Sequence, residues 1–436
     1  MVSRSDGCEA RLSFNTNTTV TLEAYRSCWR RLVLVEIWLP YGSSEIPARI
    51  PEERLVDIIR PHKTNQIQNL QEEVKRLIEA NLELREKATK AGKICIALGA
   101  SSNTQALWDS ATSLAQALVD TGVSSTSFTM LCTPDSGKYD ATNFPDIKLD
   151  YHDPTSSATS SLDGFESDFS PEVNTAFMGA DLKIVVGELK PHHFFGCAGI
   201  SDVIFPGLSS AASAQAQLSN RKGLGVADIM KERLRITNAV EDLYALGYVL
   251  NSELAPAKVS LGNMNSCMKE LKPTLDYVCS WEVKKFADIA VISAGGMPTD
   301  ESLLRAVETF PSGLGILKRD GAMIVAAECT GGHGGGDFYG WCTERKEPRH
   351  LEARLRHNFN YEGFKAAFLM RALENHRIYL VSTVPDHYVE NVFGMRAAQT
   401  VNAALQTLQR SLGSDSTISV IPDASRVIPK RTQTDA

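Results

Sequence analysis

Apolar residues follow two different spacings along the chain, and these predict helices and strands in alternation. Between residues 64 and 90 they recur every three or four positions, which predicts a surface helix. Two extended runs on either side of a turn at 40–44 predict a hairpin over 33–50. Short apolar runs predict buried strands at 93–98, 127–131, 182–186, 289–293, 322–327, 377–381 and 417–421, with helices at 104–120, 263–281 and 301–310.

Strands that alternate with helices form mostly parallel sheets covered by helices, so the sequence predicts an α/β fold with two α/β lobes. The predicted division is a poorly ordered extension at 1–30, an N-terminal α/β domain at 31–282 and a C-terminal α/β domain at 283–436. The last segment is free to pack back on the first lobe, and the Ser- and Thr-rich segment 155–168 is expected to be a surface loop. Because ligands bind at the carboxyl ends of parallel strands, we expect the active site in the cleft between the lobes.

Composition and charge narrow the class of protein. The chain has 45 Lys and Arg against 52 Asp and Glu, a formal net charge of −7, which argues against a nucleic-acid partner. No apolar run approaches the roughly 20 residues of a membrane span, and the N-terminus lacks the apolar stretch of a secretion signal, so we expect a cytoplasmic protein that does not bind membranes. The nine cysteines include no Cys-x-x-Cys pair and are expected to be reduced and mostly structural.

The segment 187–199 follows a predicted buried strand and contains two adjacent histidines, His192 and His193. Histidine is the side chain whose proton moves near neutral pH, so at least one of the pair is a candidate general acid or base. The alternative is a capped loop with one exposed and one hydrogen-bonded histidine, and the sequence leaves both interpretations open.

Gly295 and Gly296 follow the predicted strand at 289–293. Paired glycines let the backbone approach a ligand, and the N–H groups of a following helix favour a carboxylate or phosphate. The alternative is a tight turn between a strand and a helix.

The segment from Glu328 to Trp341 holds five glycines among the six residues 331–336. These glycines make an anion-binding loop conceivable, and a mobile loop that lines the cleft is the favoured interpretation. Cys329, His333 and the adjacent Cys342 lack a fixed geometry and a fourth ligand, so no metal site is predicted.

With these motifs the chain resembles the nickel-pincer lactate racemase family, from about residue 33 to about residue 429. The resemblance implies two α/β lobes with the active site between them. In that family a lysine of the signature loop tethers a pyridinium-derived cofactor, a later histidine binds nickel, and two further histidines exchange the proton of the substrate hydroxyl. The motifs that carry the resemblance are Leu39-Pro40-Tyr41-Gly42, Pro191-His192, Ile204-Phe205-Pro206-Gly207, the segments 293–300 and 328–341, and Val420-Ile421-Pro422-Asp423.

The resemblance also shows where this chain departs from the family. Asp202 stands at the position of the tethering lysine, and 215–221, where the nickel-binding histidine would fall, contains no histidine. Of the two catalytic histidines only His192 remains. The other departures are Thr133-Pro134-Asp135-Ser136 at the first catalytic histidine, Ala100-Ser101-Ser102-Asn103-Thr104 at the phosphate-binding segment, and Arg305 and Glu308 in place of a glutamine and a cofactor-contacting lysine.

We therefore expect a lactate-racemase-like enzyme that has lost the nickel-pincer cofactor and acts without any cofactor on a carbonyl- or carboxylate-bearing specialised metabolite. The expected reaction is that of an isomerase or epimerase, or of a lyase-type cyclase such as a pericyclase. The predicted catalytic residues are His192, His193 and Asp202, and the predicted substrate-binding residues are Gly295, Gly296, Arg305, Glu328 and Trp341.

Two alternatives stay open. One is a 2-hydroxy acid racemase or epimerase that retains the nickel-pincer nucleotide. The other is a ligand-binding member of the family without catalysis, because buried strands and glycine turns also serve stability alone. The expected partner is a small molecule, and the sequence is compatible with a homodimer without fixing the oligomeric state.

Overall fold

A computed structural model describes residues 33–139, 147–165, 169–219, 225–344 and 346–431. The predicted extension at 1–30 lies outside these stretches. The main sheets of the described chain are mostly parallel and are flanked by helices, which confirms the predicted α/β class. Within the same stretches, no helix combines the length and apolar character needed to cross a bilayer.

The elements follow one another in a largely alternating order. The strands are β1 (Leu34–Tyr41), β2 (Ser44–Pro51), β3 (Leu55–Ile58), β4 (Ile94–Leu98), β5 (Phe128–Cys132), β6 (Lys148–Tyr151), β7 (Thr159–Ser161), β8 (Glu172–Asn174), β9 (Leu182–His192), β10 (Gly196–Gly199), β11 (Leu243–Leu250), β12 (Pro256–Gly262), β13 (Ser280–Val283), β14 (Ala287–Ser293), β15 (Leu317–Ala326), β16 (Arg377–Val381), β17 (Arg396–Ala397), β18 (Ile418–Ile421) and β19 (Ile428–Arg431). The helices are α1 (Leu70–Ala80), α2 (Leu82–Lys90), α3 (Thr104–Asp120), α4 (Thr175–Met178), α5 (Ala211–Leu218), α6 (Val226–Asn238), α7 (Met264–Cys279), α8 (Leu303–Ala306), α9 (Phe310–Gly315), α10 (Gly336–Thr343), α11 (Pro348–His357), α12 (Tyr361–Asn375), α13 (Asp386–Asn391) and α14 (Val401–Leu412).

The first sheet has the strand order β12-β11-β9-β4-β5-β6. Its strands are parallel except for β12 at the edge, and β10 returns antiparallel to β9. Alternate residues of a strand face opposite sides of a sheet. Along β4, Ile94 and Ile96 accordingly pack into one core while Cys95 and Ala97 pack into another. The apolar run in this strand is therefore explained by burial on both faces.

The second sheet has the strand order β17-β16-β15-β14-β18-β3 and is parallel throughout. Its edge strand β3 comes from a part of the chain that the sequence analysis assigned to the first domain. The hairpin β1–β2 also packs on this sheet, since Ile37 and Leu39 share one core with Ile289 and Val291. Residues 34–58 thus lie with the second lobe, although they precede the first in sequence.

The structure refines several predicted elements. The helix predicted over 64–90 is two helices, α1 and α2, because Asn81 leaves the helical conformation and its side chain accepts a hydrogen bond from the Leu84 N–H at 3.1 Å. The helix predicted over 301–310 is divided into α8, a short 3₁₀ turn and α9. The predicted loop at 155–168 includes the short strand β7, and its last three residues lie outside the described stretches.

Candidate active site between the lobes

The hairpin β9–β10 carries the predicted histidines out of the first sheet. β9 continues beyond the strands beside it and ends at His192, and β10 returns antiparallel to it. At the tip, the ring of Phe194 meets the rings of Phe364 and Phe368 on α12 edge-on, with centroid distances of 5.0 and 5.2 Å. The tip therefore packs on the second lobe, and His192 and His193 lie where the two lobes meet.

The ring of His192 is held by the backbone of its own hairpin tip. The N–H groups of Phe194 and Phe195 both donate to its Nδ1, each at 3.2 Å, and the ring stacks on Phe195 with centroids 4.3 Å apart. Since Nδ1 accepts these bonds, the proton of the neutral ring lies on Nε2. Burial lowers the pKa of His192 below its ordinary value, which favours this neutral form.

The Nε2 atom of His192 faces a carboxylate of the second lobe, Oε2 of Glu308, at 3.7 Å. The other oxygen, Oε1, accepts from Nζ of Lys365 at 2.5 Å and from the hydroxyl of Tyr361 at 3.1 Å. Burial raises the pKa of Glu308, but the charge of Lys365, with help from His192 and Tyr361, outweighs it and lowers the pKa to about 2. A neutral N–H donor and an ionised carboxylate therefore lie side by side, and the side chains of His192 and Glu308 remain 16% and 27% exposed.

His193 differs from its neighbour because it is tied to the closing segment of the chain. Its Nε2 donates to the carbonyl of Ala424 at 2.9 Å, and the hydroxyl of Ser312 lies 3.3 Å from the same nitrogen. Burial lowers the pKa of His193 to about 4. The predicted catalytic role of His193 stays a prediction, and its contacts are those of a link between the hairpin tip and the second lobe.

Asp202, the third predicted catalytic residue, is held in an ion pair. Its Oδ1 lies 3.1 Å from Nη1 of Arg233, and its Oδ2 accepts the Gly199 N–H at 3.1 Å. The Arg233 side chain is only 8% exposed, and its guanidinium lies over the ring of Phe195, 5.3 Å from the centroid. Asp202 thus lies near His192, and the buried guanidinium of Arg233 already neutralises its charge.

A buried carboxylate that the sequence analysis did not single out lies on β9, four positions before His192. Glu188 is 3% exposed, and its Oε2 accepts the Ser102 N–H at 2.6 Å. The hydroxyls of Ser101 and Ser102 lie 3.3 and 3.2 Å from its two oxygens. These donors stand just before α3, where the unpaired N–H groups of a helix favour an anion. Its position after the strand predicted at 182–186 is the same sequence signal that singled out His192.

The predicted glycine pair forms a tight turn against neighbouring backbone and side chains. Gly295 and Gly296 have φ values of 107° and 73°, in the left-handed region that favours glycine. A Cβ at Gly295 would lie 2.7 Å from Oδ1 of Asp423, and one at Gly296 would lie 2.9 Å from the carbonyl oxygen of Gly42. Both glycines are therefore explained by close packing, and their predicted contact with a substrate stays a prediction.

Arg305 reaches across the cleft between the lobes. Its Nη1 lies 3.3 Å from Oε2 of Glu301 on its own lobe, and its Nη2 lies 3.9 Å from Oδ1 of Asp135, which follows β5 in the first lobe. The Arg305 side chain is 42% exposed and Asp135 is 63% exposed. Ion pairs this exposed are weak, and the predicted contact of Arg305 with a substrate stays a prediction.

Glu328 and Trp341 lie in different surroundings. Trp341 is 4% exposed, its indole fills the space beside Gly363, and the Arg354 guanidinium lies 4.1 Å from its ring centroid. The Glu328 carboxylate lies against Gly42 in the β1–β2 turn, so close that a Cβ there would be 1.6 Å from Oε2. Trp341 therefore belongs to the core of the second lobe.

The glycine-rich loop 331–336 caps a helix of the second lobe. The carbonyls of Gly332 and His333 accept the N–H groups of Leu303 and Leu304 at 3.0 and 3.1 Å. A Cβ at Gly334 would lie 2.4 Å from Oγ of Ser302, so the loop packs closely against the start of α8. These two carbonyls satisfy helix N–H groups that would otherwise be available to an anion. Among the described residues, no group of three or more His, Cys, Asp or Glu side chains is arranged to hold a metal ion.

Comparison with known proteins places this geometry in context. Residues 283–429 match the family model described as the lactate racemase C-terminal domain. The chain is 27% identical over 432 residues to the lactate racemase of Thermoanaerobacterium thermosaccharolyticum, covering 91% of this chain and 99% of that protein. It is 26% identical over 279 residues to the lactate racemase of Lactiplantibacillus plantarum, covering 59% of this chain and 64% of that protein.

Solved structures agree at the level of the fold. The lactate racemase apoprotein from T. thermosaccharolyticum superposes with a TM-score of 0.70 at 23% identity, over 91% of this chain and all of that one. A protein from Thermotoga maritima gives a TM-score of 0.59 at 11% identity, over 85% of this chain. The resemblance inferred from the sequence motifs is therefore confirmed.

Proposed function

We propose that this chain, a member of the lactate-racemase-like family, is an isomerase-type enzyme that acts without the nickel-pincer cofactor on a small carbonyl- or carboxylate-bearing metabolite held between the lobes. His192 is its principal catalytic residue. The relatives support the isomerase type, because those named above are lactate racemases. The choice between an epimerase and a cyclase, and the assignment of the substrate to specialised metabolism, are parts of the same proposal.

The observation that carries the proposal is the fixed proton of His192. Two backbone N–H groups occupy Nδ1, so Nε2–H is the group that the ring can offer to a ligand in the cleft. A neutral imidazole N–H that donates to a substrate carbonyl polarises it, which assists a proton shift beside the carbonyl or a ring closure. The ionised Glu308 beside Nε2 orients this donor.

The residues at the family's cofactor positions do not fit the nickel-pincer group. Asp202 replaces the tethering lysine with a carboxylate, which lacks the amine of a lysine, and Arg233 already pairs it. Glu308 replaces a cofactor-contacting lysine and is paired by Lys365. At the family's phosphate-binding segment, the buried carboxylate of Glu188 already takes the available donors. At three positions where the family contacts its cofactor, the residues of this chain are therefore already bound to one another by ion pairs or hydrogen bonds.

The test is the nickel content and intact mass of the protein expressed with nickel and with a source of the cofactor. We expect the unmodified mass of the chain and far less than one nickel ion per chain. The T. thermosaccharolyticum lactate racemase, prepared in the same host, is the positive control. Nickel near one per chain together with a matching mass increment would overturn the proposal.

The second candidate is a nickel-pincer-dependent racemase or epimerase of a 2-hydroxy acid, which the similarity to two lactate racemases favours. The same measurement separates the two candidates, because this activity needs the bound cofactor. A ligand-binding protein without catalysis is the third candidate, favoured by the internal pairing of the site carboxylates. Turnover of any substrate that is lost in His192→Gln would exclude it.

A further inference from the structure

The cluster around His192 contains a cation whose function the sequence did not suggest. Lys365 lies on α12 with a side chain that is 5% exposed, and its Nζ contacts Oε1 of Glu308 at 2.5 Å. The same nitrogen donates to the carbonyl of Leu304 at 3.2 Å and lies 4.6 Å from the centroid of the Tyr361 ring. Lys365 is therefore fixed in place and does not reach the cleft freely.

The contacts of Glu308 divide its two oxygens between different partners. Oε1 is taken by Lys365 and by the Tyr361 hydroxyl, while Oε2 is turned toward Nε2 of His192. A lone carboxylate in this buried setting would tend to be protonated, and the nearby ammonium keeps it ionised. Lys365 thus keeps Glu308 charged, and together with Tyr361 it leaves Oε2 as the oxygen that faces the imidazole.

We propose that Lys365 is a positioning residue for His192, which it influences both by its own charge and by holding Glu308 ionised with Oε2 toward the imidazole. This inference rests on the proposed function, because it concerns the same histidine. The charged or titratable groups that face His192 are Glu308 and Lys365 of the second lobe, Asp202 and Arg233 of the first lobe, and His193 beside it.

The charges that surround His192 act in opposite directions. Burial, Lys365 and Arg233 lower the pKa of His192, while Glu308 and Asp202 raise it. Removing Glu308 should therefore lower the titration midpoint of His192. Removing Lys365 takes away a repelling charge and leaves the imidazolium as the cation nearest Glu308, so the midpoint of His192 should rise. A residue that only fills space would leave the midpoint where it is.

The experiment is long-range ¹H–¹⁵N NMR of the full chain with ¹⁵N-labelled histidine, without any substrate, between about pH 5 and pH 8. The His192 signals are identified by their loss in His192→Gln. We expect the Nε2–H tautomer in the unmodified protein, a midpoint raised by roughly one pH unit in Lys365→Met, and a lowered midpoint in Glu308→Gln. Lys365→Arg keeps the positive charge and should keep the original midpoint.

Lys365→Met leaves a buried carboxylate without its cation, so this variant is at risk of not folding. The double variant Glu308→Gln with Lys365→Met has neither the carboxylate nor the ammonium of this pair, so no unpaired charge is buried. It is compared with Glu308→Gln alone. Its His192 midpoint should lie above that of Glu308→Gln alone. An equal midpoint in this comparison, no shift in a folded Lys365→Met, or the Nδ1–H tautomer in the unmodified protein would overturn the inference. Since no cofactor or substrate is involved, these outcomes are independent of the nickel and mass test.

Discussion

At the scale of single residues, three carboxylates near the candidate site are each matched by a donor within the protein. Glu308 has Lys365, Asp202 has Arg233, and Glu188 has the N–H and hydroxyl of Ser102. A buried carboxylate stays ionised only when such partners offset its loss of hydration. The charges of Glu308 and Asp202 are therefore each offset by a cation, and Nε2 of His192 lies 3.7 Å from Oε2 of Glu308, beyond hydrogen-bond distance.

His193 makes the stability of the protein depend on pH. Its pKa is lowered to about 4 in the folded chain, whereas an unfolded histidine titrates near 6.5. Between these values the unfolded chain binds more protons, so stability is complete above about pH 6.5 and decreases as the pH falls toward 4. In the unmodified chain, we expect His193 to lower the free energy of unfolding, measured by urea titration, by about 2 kcal/mol between about pH 7 and pH 4. In His193→Asn this part of the decrease should be absent.

The exposed His387 supplies the control for this measurement, since His387→Asn should leave the pH dependence as it is. If His193→Asn lost stability with falling pH as steeply as the unmodified chain, the burial of the neutral His193 ring would not be the cause.

The sequence located the candidate site but could not specify the partners of its residues. Histidines after a buried strand pointed to the cleft, and the structure places His192 there. Glu308 and Lys365 are separated by 57 positions, so only the packing of α12 against the 3₁₀ turn at 307–309 brings them together. Trp341, Gly295 and Gly296 are closely packed in the structure. Close packing and ligand binding select the same residue types, so their predicted substrate contacts stay predictions.

At the scale of elements, β9 and the start of α3 are joined by one buried carboxylate. Glu188 on β9 accepts the Ser102 N–H at 2.6 Å, and the hydroxyl of Tyr248 on β11 donates to Ser101 beside it at 2.8 Å. A charged acceptor bound to such donors is worth more than a neutral one. We therefore expect Glu188→Gln to lower the unfolding free energy by about 1–3 kcal/mol, measured by chemical denaturation at neutral pH.

Glu79→Gln is the matched control, because Glu79 is exposed on α1 and the same substitution should change stability by less than about 0.5 kcal/mol. Equal stability of Glu188→Gln and Glu79→Gln would show that the contact between β9 and α3 does not depend on the charge of Glu188.

Several strand and helix positions were predicted closely where burial determines the local pattern, although the buried strand β11 was not predicted. The runs at 377–381 and 104–120 coincide with β16 and α3 because each buries an uninterrupted apolar face. The break at Asn81 was missed because the apolar spacing continues through it to Leu82, and the cap formed by the Asn81 side chain ends one helix and starts the next. A single capping residue can end a helix within a stretch whose apolar spacing is still helical. A pattern read over many residues does not detect such a break.

At the scale of the whole molecule, sequence order and spatial order differ at both ends of the described chain. β3 joins the second sheet beside β18, and β19 pairs with β13, which closes the region assigned to the first domain. The local hydrophobic pattern predicts that a strand is buried. It does not predict which strands are its neighbours in the sheet. The predicted boundary near residue 282 therefore stays a prediction, while residues 34–58 lie with the lobe that follows it.

This arrangement predicts that the second lobe depends on the start of the described chain. Ile37, Leu39, Ala48 and Ile50 are each 3% exposed or less and pack on the second sheet, so a chain that begins at residue 59 would uncover their partners on β14 and β15. Burying an aliphatic side chain contributes about 1.5–3 kcal/mol, and the loss of several such contacts approaches the whole stability of a domain. We expect that chain to melt well below the full-length protein, or to expose apolar surface that binds a hydrophobic dye. A chain that begins at residue 33 keeps the hairpin and β3 and is the control with which the chain beginning at residue 59 is compared. An unchanged melting temperature for the chain beginning at residue 59 would show that the second lobe folds without the hairpin and its edge strand.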